Sequence, residues 1–172
     1  MAPLVARLNG RAPLSAHDQA ALPALPCQER SVEPGAYVVK EGDLTPGWQV
    51  QLAGVAHRHR ISADGARHIV GMHGAGDFLN LPLSPPAPSE DFIQALTPVR
   101  VALVPADAIL ALSHGRLSIF KAICGAIAAA LSIDRAWIST ARRPAARPRI
   151  PPLLCERAMC RPPARGSARS RI

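Results

Sequence analysis

Aromatic residues are scarce in this 172-residue chain: three Phe, two Trp and one Tyr. Apolar residues still make up 48% of it, so a core must be built mainly from Leu, Ile, Val and Ala. Long apolar runs are lacking too. The most apolar stretch, residues 122–131, falls well short of the ~20 residues a spanning helix takes. The N-terminus has no continuous apolar segment of the signal-peptide kind. These absences argue against membrane partners and point to a soluble, cytoplasmic protein. The four cysteines, Cys27, Cys124, Cys155 and Cys160, include no Cys-x2-Cys pair. That argues against a zinc or iron–sulfur centre and against a disulfide scaffold; free thiols in a reducing cytosol are the simple reading. No Ser-His-Asp or Cys-His arrangement is legible, and no Gly-rich phosphate loop runs from a strand into a helix. An enzyme is therefore not expected, nor is a cofactor.

The body of the chain also lacks net charge. Residues 1–141 hold 11 Lys and Arg against 11 Asp and Glu, so the overall +8 sits in residues 142–172, with nine Arg and only Glu156. The basic balance suggests nucleic acid at first sight, but it describes a tail. Six of the last 29 residues are proline, and no apolar period survives beyond Leu153 and Leu154. Residues 144–172 are expected to be a disordered Arg/Pro-rich tail rather than a recognition surface.

Residues 1–13 read as an N-terminal arm. Ser15-Ala-His-Asp18 then caps a short helix that Pro23 and Pro26 stop. From Cys27 to Val104 short β-rich runs recur: residues 37–40, 48–52, 55–61, 68–71, 92–96 and 99–104. Pro34-Gly35, Glu41-Gly42-Asp43, Asp64-Gly65 and Gly74-Ala-Gly76-Asp77 punctuate them, and Asp-Gly between two such runs is a hairpin signal. Pro105 and Asp107 suit a helix start, and Gly115 its end. A longer helix is expected from Arg116 to about Arg142, roughly 40 Å long at 1.5 Å per residue. It carries two apolar stripes. One holds Leu117, Phe120, Cys124, Ile127, Leu131 and Ile138; the other Ile119, Ile123, Ala126, Ala130, Ile133 and Trp137. Two stripes imply two partners: its own domain, and an identical helix in a coiled-coil pairing. The fold class is thus α+β: an antiparallel β-roll of the double-stranded β-helix or jelly-roll type, with flanking short helices and a long C-terminal dimerisation helix.

The order of short helix, roll, short helix and long helix resembles the sensory half of Crp/Fnr transcription regulators, whose roll is the cyclic-nucleotide-binding fold. The resemblance is carried by Val32-Glu-Pro-Gly35, Val39-Lys-Glu-Gly-Asp43, Leu52-Ala-Gly54, Asp64-Gly65, Ile69-Val-Gly71, Gly76-Asp-Phe78 and Leu96-Thr-Pro-Val-Arg-Val101, with Asp134-Arg-Ala-Trp137 near the end of the long helix. It implies a sensory roll over residues 14–115 and a dimerisation helix over 116–143. The helix would pair through Ile123, Ile127, Leu131 and Trp137, with itself or with a full-length homologue. The effector pocket would involve Gly76, Asp77, Phe78, Leu79, Glu90 and Asp91, since Gly76-Asp-Phe78 opens the family's phosphate-binding cassette.

Two departures qualify it. Relatives that bind cyclic nucleotides follow this motif with a Glu for the ribose and an Arg for the phosphate, yet no basic residue lies between Gly76 and Arg100, and Glu90 and Asp91 stand near the Arg position. An anion there would meet like charge, so cyclic AMP is not expected to bind with ordinary affinity and the small-molecule effector is unidentified. Oxygen-sensing relatives use an N-terminal cysteine cluster, where this chain has only Cys27. Residues 157–172 hold no recognition helix of the winged helix-turn-helix, so DNA binding is doubtful, and the tail composition suggests a truncated or frame-shifted product. A different class is the cupin-like metalloprotein. His57 and His59 share a strand face and Asp64 follows, a possible ligand set for a metal; against it, these histidines alternate with Arg58 and Arg60 as a solvated face would.

Overall fold

The structure is a computed structural model that describes residues 1–80 and 88–141; within the last helix, the side chains of residues 134 and 136–141 are outside the description. The tail expected over 144–172 also lies outside the described residues.

Eight strands form two four-stranded antiparallel sheets. One has the order β1 (Gln28–Val32), β8 (Val99–Pro105), β3 (Gly47–Ala53), β6 (Phe78–Asn80). The other has the order β2 (Tyr37–Val39), β7 (Phe92–Ala95), β4 (Ala56–Ile61), β5 (Arg67–His73). This is the expected antiparallel roll with flanking helices. Between the sheets lie Val32, Val38, Val39, Ala56, Leu79, Ile93, Ala95, Val99 and Val101. The other face of β3 and β8 carries Trp48, Val50, Leu52, Ala102 and Val104, and the helices cover it. Sheet one is thus roofed on both sides, which is why six of the seven residues of β3 are buried.

The Asp64-Gly65 hairpin forms as its sequence suggests. Gly65 has φ +82°, and Ser62 and Ala66 close the turn by a 2.9 Å backbone hydrogen bond. Ser15 caps α2 (Ala16–Ala21) by accepting from the Asp18 amide at 3.1 Å. α3 (Ala106–His114) starts after Pro105. α4 (Leu117–Ala141) runs 25 residues, about 37 Å of helix. No helix among the described residues is long and apolar enough to cross a membrane.

One expectation changes and another gains detail. The N-terminal arm contains a helix, α1 (Ala2–Asn9), whose Leu4 and Leu8 are each 1% exposed in the core. A proline in the first turn and leucines four apart were its signal, since that spacing makes one apolar stripe. The two stripes of α4 also differ in fate. Ile119, Ala122, Ile123 and Ala126 are buried against the roll and its helices, whereas Leu117, Phe120, Cys124 and Leu131 face outward. α4 packs on α1, α3 and β5.

Candidate functional site

β4 divides its side chains by the two-residue period of a strand. Ala56 pairs with Ala95 and Arg58 with Ile93 on β7, and these apolar partners belong to the inter-sheet core. Arg58 therefore points into the roll. His57 pairs with Gln94 and His59 with Phe92, on the outer face.

Inside, Arg58 crosses from sheet two to donate to the Leu79 carbonyl of β6 at 3.0 Å. Its Nε lies 3.8 Å from Asp91 Oδ2. At the exposed rim Arg60 donates to Asp91 at 2.5 Å and to Glu90 at 2.8 Å. The expectation of bare like charge at Glu90 and Asp91 is corrected here: β4 brings Arg60 to both and Arg58 to Asp91, a separation of about thirty residues that no local pattern reveals. His73 of β5 pairs with Ala56 and so shares the inner face. Burial, then the charges of Arg58 and Arg7, push its imidazole down to about 3.

The cassette opening is internally committed. Gly76 has φ +89°, and a Cβ on it would come 2.6 Å from the Pro3 carbonyl, so α1 lies directly against it. The Gly76 amide donates to Gln51 at 2.7 Å and the Asp77 amide to Gly74 at 3.1 Å. The Asp77 carboxylate pairs with Arg7 and accepts from the Gly74 amide at 2.8 Å. Burial raises its pKa, and Arg7 works against that rise. Phe78 stacks edge-on with Trp48 at 5.4 Å, and Leu79 is 2% exposed in the inter-sheet core. Gly76 and Asp77 thus hold α1, Phe78 packs on the helix-covered face and Leu79 between the sheets, and the amides of Gly76 and Asp77 already have acceptors. Glu90 and Asp91 stand at the edge of the roll with Arg60. The sequence reading missed Arg7, Arg58 and His73. Gln49 and Gln51 were missed as well; they point inward from β3, opposite the face of Trp48, Val50 and Leu52.

Outside, Tyr37, Phe92, His59 and His57 form a ladder of rings. Centroids are 5.7 Å apart for Tyr37–Phe92, 5.2 Å for Phe92–His59 and 5.0 Å for His59–His57. His57 and His59 are not a solvated face, because this ladder buries them, and burial with Arg67 nearby lowers both pKa values. Nor are they grouped as metal ligands. Asp64 is engaged in the hairpin with the Ser62 hydroxyl and the Ala66 amide. Among the described residues no three His, Cys, Asp or Glu side chains are grouped to hold a metal. A group buried without a partner costs about 1–3 kcal/mol, and both ring nitrogens of His59 are in that position.

Of the residues expected to pair two chains, Ile123 is 6% exposed and committed to the core, Ile127 packs partly against it, and Leu131 is 54% exposed. Trp137 lies on α4 with its side chain outside the description. The open stripe is instead Leu117, Phe120, Cys124 and Leu131.

A family profile described as the cyclic nucleotide-binding domain matches residues 29–115. No curated protein matches the chain. Among solved structures, the N-terminal domain of a transcriptional regulator from Streptomyces coelicolor A3(2) is similar at 25% identity and TM-score 0.56, over 76% of this chain and 89% of that one. A cyclic nucleotide-binding domain from Methylobacillus flagellatus KT superposes at TM-score 0.70 and 14% identity, over 85% and 86%. The c-di-GMP responsive global regulator CLP of Xanthomonas campestris gives TM-score 0.62 and 18% identity, with 73% of this chain spanning 62% of that one.

Proposed function

The chain belongs to the cyclic nucleotide-binding domain family, and from that premise we propose that it is the effector-sensing and pairing part of a Crp/Fnr-type transcription regulator rather than an enzyme. Residues 14–115 serve as sensor and 116–143 as the pairing helix, docked through α1 as well as α3. DNA binding would belong to a partner or to residues beyond those described. The partner is an identical chain or a full-length homologue.

The observation that carries this reading is the split of α4. One stripe is consumed by the sensor, and a second, with Leu117 65%, Phe120 53% and Leu131 54% exposed, runs along the same helix. An apolar stripe of that length on a rigid helix suits coiled-coil pairing. Light scattering of the full chain should give twice the monomer mass, and Phe120→Asp with Leu131→Asp should give a folded monomer. A wild-type chain that stays monomeric at every concentration refutes the reading.

The roll is the effector domain, and the committed amides of Gly76 and Asp77 support low affinity for cyclic AMP. The cupin-like reading gains no support, because His57 and His59 stack within the ring ladder while Asp64 is engaged in the hairpin turn.

A further inference from the structure

Inside the roll several polar atoms have no hydrogen-bond partner among the described residues: Arg58 Nε, His73 Nε2, and the Oε1 atoms of Gln49 and Gln51. They belong together. Arg58 pairs with Gly71 and Ala56 with His73, so His73 is the diagonal neighbour of Arg58 on one face, and Gly71 puts no side chain between them. Gln51 reaches that pair from the opposite sheet, its Nε2 donating to the His73 carbonyl at 3.3 Å and to the Gly54 carbonyl at 2.7 Å. Gln49 pairs with Asn80, the residue after the Leu79 that Arg58 contacts.

The four residues offer complementary chemistry. Arg58 Nε donates; the glutamine oxygens accept; the His73 ring is neutral and can do either according to its tautomer. Charge is balanced around them, with Arg7 against Asp77 and Arg58 against Asp91. A balanced, buried site disfavours a ligand with net charge, because that charge would lose its hydration without a counter-ion. The matching ligand carries an oxygen acceptor beside N–H donors and no charge, which is a carboxamide.

We propose that the inner face of the roll binds a small uncharged carboxamide between Arg58, His73, Gln49 and Gln51. This rests on reading the roll as an effector domain, and it names the effector's chemistry. The test is a titration of the full chain, with ring-labelled histidine, followed by NMR at His73. The probes are benzamide and propionamide, their carboxylates benzoate and propionate, and cyclic AMP. An amide should shift the His73 resonances to saturation, and its carboxylate should bind at least about tenfold more weakly. Gln49→Met replaces an unpartnered buried amide by an apolar side chain of similar length. It should keep the fold by circular dichroism and weaken amide binding about tenfold, as should Arg58→Met.

Carboxylate or cyclic AMP binding as tight as the amide, no saturable response to either amide, or Gln49→Met binding undiminished overturns the proposal. None of these outcomes touches the light-scattering result, on which the regulator reading depends. A monomer that binds benzamide would refute that reading and keep this one.

Discussion

Three imidazoles are held uncharged by the fold, and pH is where this shows. His57, His59 and His73 all have pKa values below the ordinary 6.5, with burial the leading cause in each. Below 6.5 the unfolded chain takes up protons that the folded chain refuses. Stability is therefore full above 6.5 and falls as the pH drops, until His73 protonates in the fold near 3. Each fully refusing group contributes a slope of about 1.4 kcal/mol per pH unit. Urea midpoints measured from neutral to mildly acid pH should fall accordingly, and His59→Leu should flatten the curve; an unchanged slope would refute burial as the cause. Gly54 gives a second residue-scale outcome. Its φ is +85° and a Cβ would come 2.2 Å from the Pro98 carbonyl, while Gly35, at φ +82°, has open space. Gly54→Ala should destabilise by roughly 2–4 kcal/mol and Gly35→Ala by about 1. Chemical denaturation separates the two. Turn glycines were legible because their chemistry is local. The burial of His57 and His59 was not, since it depends on Phe92 and Tyr37 from distant strands.

At the scale of the element, pattern and polarity decided what could be read. Periodicity located six strands, but β1 was hidden because four of its five residues are exposed on a sheet edge, and β6 because it is three residues long. α4 was legible as a helix with two stripes, yet which stripe faces inward depends on α1 and the roll. The consequence is measurable. Ile123→Ala should cost about 2–5 kcal/mol as a core deletion, whereas Phe120→Ala should leave the monomer's stability within about 0.5 kcal/mol and weaken pairing instead. α1 carries a further outcome. Removing the Arg7 guanidinium leaves Asp77 buried without its ion pair, so Arg7→Met should destabilise by about 3–5 kcal/mol at neutral pH. The loss should shrink in acid, where Asp77, its pKa raised by burial, takes a proton. Thermal midpoints of the variant at two pH values check this; a loss that does not shrink in acid would count against it.

For the molecule as a whole, the two sheets do different jobs. Sheet one is closed over on both faces by the other sheet and the helices. Sheet two encloses the polar interior on one side and carries the ring ladder on the other. A chain that pairs through α4 should melt at a temperature that climbs with protein concentration, and calorimetry over a dilution series would show it. β5 belongs to both regions: its inner face carries His73 and it packs on α4. One strand therefore touches the polar interior and the rod alike. If a ligand in that interior tightens the grip between two rods by some factor, then gripping must tighten the hold on the ligand by that same factor. A solution crowded with this chain would read a dilute signal more keenly than a sparse one.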